Sequence, residues 1–123
     1  MTRPLIIEWL AKPEPHDYTA AASYLSLIMD DRSVTQAVTK LKRAAMTQFK
    51  AKDIFRASSL QLLPLSNSHV KKDEKKILAG EHLSPILLVR DRSTGRVVIA
   101  DGYHRMCAVY AFDEDASIPC KIV

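Results

Sequence analysis

At 123 residues, with a hydrophobic fraction of 47%, the chain has the length of one domain and enough apolar content for a real core, which excludes global disorder. Its net charge of +4 is too mild to argue for nucleic acid by itself. No apolar run approaches a membrane span and the N-terminus lacks the basic-then-apolar layout of a signal peptide, so a cytoplasmic location with no membrane partner is the expectation.

The first fifteen residues read as irregular or partly strand-like, with Leu5-Ile6-Ile7 and Trp9-Leu10 as apolar anchors, and with Pro13 and Pro15 blocking regular structure. Asp17 suits the cap of a helix carrying residues 20–29, which Asp30-Asp31-Arg32 ends. Ser33-Val34-Thr35-Gln36 has the pattern of a capping box, and Val34, Ala37, Val38, Leu41, Ala44 and Ala45 then recur at helical spacing. A helical hairpin with one apolar side is therefore predicted over the first fifty residues.

Lys40, Lys42, Arg43, Lys50, Lys52 and Arg56 stand against one acid, Asp53, across residues 40–56. Such a run is most simply a solvated helix face; a patch for phosphates or an acidic partner is the other reading. A short helix over residues 53–58 leads into Leu60-Gln61-Leu62-Leu63-Pro64-Leu65, which has the look of a strand stopped by proline. Ser66-Asn67-Ser68 can cap a helix through His69, Val70, Ile77 and Leu78, closed by Gly80. Its Lys71, Lys72, Lys75 and Lys76, alternating with Asp73 and Glu74, read as ordinary solvated-helix chemistry.

Ile86-Leu87-Leu88-Val89-Arg90 is a nearly continuous apolar strand, Asp91-Arg92-Ser93-Thr94-Gly95 is turn chemistry, and residues 96–100 are its hairpin partner. Asp101-Gly102 then turns the chain into a helix whose buried face carries Met106, Cys107, Val109 and Tyr110, before a last strand at Ile118-Pro119-Cys120-Lys121-Ile122-Val123. Cys107 and Cys120 have no metal-ligand spacing and read as reduced, buried thiols.

The Asp101-Gly102-Tyr103-His104-Arg105 stretch carries the chemistry. A glycine turn lets a ligand approach the backbone, and a helix start offers free N–H groups and the positive end of its dipole to an anion. His104 and Arg105 add side-chain donors, and a guanidinium can grip phosphate through two parallel bonds. The alternative from the same residues is that Asp101 only caps the helix and that His104 and Arg105 lie on a solvated surface. His69, at another helix start, is either a plain capping-region residue or a neighbour in the same cleft.

The order of elements from Leu60 to the C-terminus, with Leu62-Leu63-Pro64, Leu83-Ser84-Pro85-Ile86-Leu87-Leu88-Val89, Gly95-Arg96-Val97-Val98-Ile99-Ala100-Asp101-Gly102-Tyr103-His104-Arg105 and Ile118-Pro119-Cys120, resembles the ParB N-terminal / sulfiredoxin-like superfamily. The resemblance implies an α+β fold, a small mixed sheet with flanking helices, over residues 59–123; the helical residues 1–58 read above are expected as an extension packed on it. It also implies phosphate or nucleotide binding by Gly102, Tyr103, His104 and Arg105. If the chain transfers or hydrolyses a phosphoryl group, Asp101 and His104 are the catalytic candidates, handling a metal or a proton. Asp101-Gly102-Tyr103-His104-Arg105 looks closest to the free serine kinases of this fold, although Leu65-Ser66-Asn67-Ser68 lacks the acid they carry after their first strand. The sulfiredoxin cysteine is Tyr103 here, and neither the ParB Glu-Arg-Arg nor its helix-turn-helix is present.

The expectation is thus a nucleotide- or phosphate-binding protein, its cofactor ATP or ADP with Mg2+ and no metal site of its own, acting as a phosphotransferase or nucleotide hydrolase on a small molecule. A non-catalytic nucleotide-sensing module and a nucleic-acid-associated protein are the alternatives.

Overall fold

The computed structural model describes residues 6–123, an α+β chain of five helices and a four-stranded mixed sheet. The elements run α1 (Pro15–Leu25), α2 (Asp31–Arg43), β1 (Thr47–Lys50), α3 (Ala51–Ser58), α4 (Ser68–Leu78), β2 (Ile86–Asp91), β3 (Arg96–Asp101), α5 (Tyr103–Phe112) and β4 (Ser117–Ile122). The sheet order is β1-β4-β2-β3, with β2 parallel to β4 and the other pairs antiparallel.

The unbroken apolar run of β2 follows from its central position. Ile86 and Leu88 enter one core with Ile54, Val70, Ile77, Met106 and Val109, from α3, α4 and α5. Leu87 and Val89 enter a second with Ala21, Leu25, Val34, Ala37 and Leu41, from α1 and α2. Successive strand residues point to opposite faces, so a strand covered on both sides must be apolar at every position. The helical hairpin covers one face of the sheet and the later helices cover the other.

Several local expectations shift. Pro15 does not block structure; it is the first residue of α1, where its missing N–H costs nothing. The N-cap is Glu14, and Asp17 lies inside the first turn, its Oδ2 accepting from the Glu14 N–H at 2.8 Å. Asp30, not Ser33, caps α2, accepting from the Ser33 N–H at 2.8 Å. Among the expected N-terminal anchors, Ile7 and Trp9 pack on the core and Trp9 bridges to Leu83, whereas Ile6 is exposed and Leu5 lies outside the described residues.

Two strand assignments differ. Residues 60–65 form no strand; their carbonyls and N–H groups find no sheet edge there, and Leu62 and Leu63 serve as packing against the core instead. A strand unmarked by its pattern, β1, pairs with β4 through Thr47 opposite Cys120 and Lys50 opposite Ser117. Its residues are all exposed, as a short polar edge strand can be. With β1 and α3, residues 47–58 contribute to the same sheet and core as the residues that follow.

Candidate functional site

The β3–α5 junction is shaped by Gly102. Its φ of 109° is one that residues with a Cβ rarely adopt. A Cβ there would also lie 2.9 Å from Ile86 Cγ2 and 3.0 Å from Arg105 Nη2. The space freed by the glycine is therefore filled by the protein's own Ile86 and Arg105, rather than reserved for a ligand's approach.

Because Gly102 is the N-cap, no side chain caps α5. The first intrahelical bond runs from the Met106 N–H to the Gly102 carbonyl at 2.9 Å, so the preceding N–H groups of the helix are left for an outside acceptor. This helix start opens onto a cavity of about 190 Å³ lined by His69, Lys72, Asp73 and Lys76 from α4 and by residues 101–105. The expected site residues Asp101, Gly102, Tyr103, His104 and Arg105 thus share one wall of it, and α4 supplies the other.

Asp101 neither caps the helix nor stands free. Its Oδ2 accepts from Arg105 Nη2 at 2.7 Å, one helical turn on, and both side chains are largely buried. Burial pushes the Asp101 carboxyl above the usual range; Arg105 opposes this, and the buried Asp17 carboxyl beside it adds to it. Arg105 Nη2 also reaches the Pro85 carbonyl at 3.4 Å, while its Nε is buried without a hydrogen-bond partner. Such an unmet donor is costly in a folded interior.

His104 and His69 face each other with ring centroids 4.9 Å apart. Burial and the nearby His69 hold His104 below its ordinary value, with Arg105 adding to the effect and Asp73 opposing it. The Tyr103 ring lies 5.5 Å from that of His104, tilted by 45°, and its hydroxyl donates a hydrogen bond to the Gln61 carbonyl, tying the 59–67 loop to α5.

The residues that sequence reasoning passed over are Lys72, Asp73 and Lys76. Their signal was spacing: His69, Lys72, Asp73 and Lys76 stand at i, i+3, i+4 and i+7, one face of a helix whose Val70 and Ile77 are buried. Asp73 is half-buried, and that burial raises its carboxyl above the usual value despite the cations around it. The basic run over residues 40–56 does not extend the site. Lys50 and Lys52 pair with Asp115 at 3.9 and 2.5 Å, Lys42 lies over the Tyr18 ring, and none of these lines the α4–α5 cavity.

The described residues include no helix long and apolar enough to cross a membrane. Glu14, His16 and Asp17 could reach one metal ion, but Glu14 already accepts from Ser84 Oγ at 2.8 Å and Asp17 from the Glu14 N–H. Comparison with protein-family models, with curated proteins and with solved structures finds no match.

Proposed function

We propose that the chain binds the phosphate of a nucleotide or of a phosphorylated small molecule at the N-terminus of α5, in the manner that its resemblance to the ParB/sulfiredoxin-like superfamily implies. One observation carries this reading. An uncapped helix start opens onto a small cavity where five basic side chains, His69, Lys72, Lys76, His104 and Arg105, outnumber two carboxylates. Backbone N–H groups and the helix dipole supply directed donors, the lysines supply charge, and Arg105, held by Asp101, adds its own positive charge beside them.

Asp101 is committed to Arg105 and in this reading orients it, which leaves Asp73 as the carboxylate facing the ligand. The donor set suits Mg2+ held by one carboxylate and the ligand's phosphates, since that ion keeps much of its water and seldom needs a full protein cage. Magnesium would supply further charge neutralisation there.

A second reading, phosphoryl transfer to a hydroxyl or to water, is favoured by Asp73 and His104. Burial holds His104 neutral and raises Asp73, so either can take the proton of an attacking O–H group beside cations that stabilise the transferring phosphate.

The test is a thermal-shift panel of pyrophosphate, ATP, ADP, CTP and GTP, each with and without magnesium. A ligand specific for the native state at a hundred times its Kd adds about 2.7 kcal/mol, a shift of several degrees in a chain of this size. The variant Lys72→Ala with Lys76→Ala should lose that shift while keeping its unliganded melting point, because Lys72 is exposed, Lys76 half-buried, and neither belongs to either core. No shift with any phosphate compound would sink the reading.

A further inference from the structure

We propose that the groove between α2 and the β2–β3 hairpin, on the sheet face opposite α4 and α5, binds a carboxylate with an apolar body, of the class of medium-chain carboxylic acids; this site is independent of the phosphate reading. The groove holds about 660 Å³, within the ~300–1,000 Å³ of small-molecule sites. One wall is a single face of α2, with Ser33, Gln36, Ala37 and Lys40 at i, i+3, i+4 and i+7. The hairpin supplies the other wall through residues 90–93. Met29, Val98 and Val123 lie at the groove and at the half-buried margin of the α1–α2 core, so that core is not closed over there.

Charge says what covers it. Lys40, Arg90 and Arg92 line the groove against one carboxylate, Asp91. All three cations are exposed, and none is in an ion pair among the described residues. Asp91 is committed to its own turn, its Oδ1 accepting from the Ser93 N–H at 3.0 Å and from Ser93 Oγ at 2.6 Å. Unspent positive charge beside an open apolar floor selects an anion that also has apolar surface to bury. The nearby helix start, that of α2, is closed by Asp30, which accepts from the Ser33 N–H at 2.8 Å. Side-chain ammonium and guanidinium donors therefore meet the head group, and they suit a single carboxylate. The groove also has a direction. Ile28 and Met29 directly precede α2 at its Ser33 end, whereas Lys40 lies two turns further on, about 10 Å along the axis. The apolar body lies along Ile28, which is otherwise 52% exposed, and Met29, with the carboxylate at Lys40.

The experiment is an amide-resolved NMR titration of the full chain with octanoate, and with octan-1-ol, octylamine and acetate for comparison. Octanoate should bind saturably, with shift changes clustered at the groove-lining residues of α2 and the hairpin. Octanol lacks the charge, octylamine reverses it and acetate lacks the apolar body, so each should bind at least tenfold more weakly. Lys40→Gln with Arg92→Gln should weaken octanoate tenfold or more and leave the weak octanol binding as it was. Ile28→Ser should weaken octanoate and octanol alike. These substitutions are all at exposed positions, and the spectra of the variants themselves report that they fold. Lys72→Ala, in the α4–α5 cavity, should leave octanoate binding unchanged, which separates this site from the phosphate site. Absence of saturation, shifts centred away from the groove, octanol binding as tightly as octanoate, or wild-type affinity in the double variant would each overturn the inference and leave the phosphate reading untouched.

Discussion

His69 of α4 and His104 of α5, from opposite walls of a cavity that Lys72, Lys76 and Arg105 also line, bring their ring centroids to 4.9 Å. Burial first, then the neighbouring His69 and Arg105, hold His104 below its ordinary 6.5.

The pH dependence follows from that depression. Between 6.5 and the lower folded value of His104, the unfolded chain binds more protons than the native one, so unliganded stability falls as pH falls through this window. A bound phosphate favours the imidazolium, so affinity for pyrophosphate rises over the same window. His104→Gln should flatten both trends. Asp73 and Asp101, held above 3.8, act in the opposite sense in acid, where the native state takes up protons first. Urea melts and titrations from pH 7.5 to 5.5 check the signs; affinity that weakens on acidification contradicts the argument.

Gly102→Ala is expected to destabilise the fold by roughly 2–4 kcal/mol, from the left-handed backbone and the forced contact with Ile86 and Arg105. Chemical denaturation measures it directly. Gly80→Ala, also at positive φ but with nothing near its would-be Cβ, should cost only about 1 kcal/mol. The difference between the two reports the packing against Ile86.

Removing Arg105 strands the largely buried Asp101 carboxylate beside Asp17, so Arg105→Met should cost about 3 kcal/mol. It is therefore a poor variant for binding measurements on its own. Asp101→Asn added to Arg105→Met should recover much of the loss, because the uncompensated charge is then gone. A double-mutant cycle tests this, and additive losses would show that the pair is not coupled.

Cys107 and Cys120 are 2% and 0% exposed and unbridged. Burial pushes the Cys120 thiol up to about 11 and raises that of Cys107 as well. With little thiolate and little access, both should label with a thiol reagent orders of magnitude more slowly in the native state than in denaturant. Fast native labelling of Cys107 would reopen a redox role.

What the sequence determined by itself was local. The apolar run of Ile86-Leu87-Leu88-Val89, the turn at Gly95, the cap at Asn67 and the Gly102 break between β3 and α5 are written in neighbouring residues, because hydrogen bonding, backbone freedom and side-chain periodicity act over a few positions. The side chains of Tyr103, His104 and Arg105 follow from that break. Tertiary structure decided the rest. The leucines at 60, 62 and 63 have strand-like chemistry, yet a strand needs a free edge to pair with, and the β4 edge went to Thr47–Lys50. The Lys72, Asp73 and Lys76 face looks like any solvated helix until packing of α4 against α5 turns it towards His104. Asp101 resembles a helix cap in sequence, but Gly102 takes the cap position and Asp101, one residue earlier, pairs with Arg105 instead. Each of these outcomes depends on which surfaces meet across the sheet, and a linear pattern carries no information about a partner many residues away.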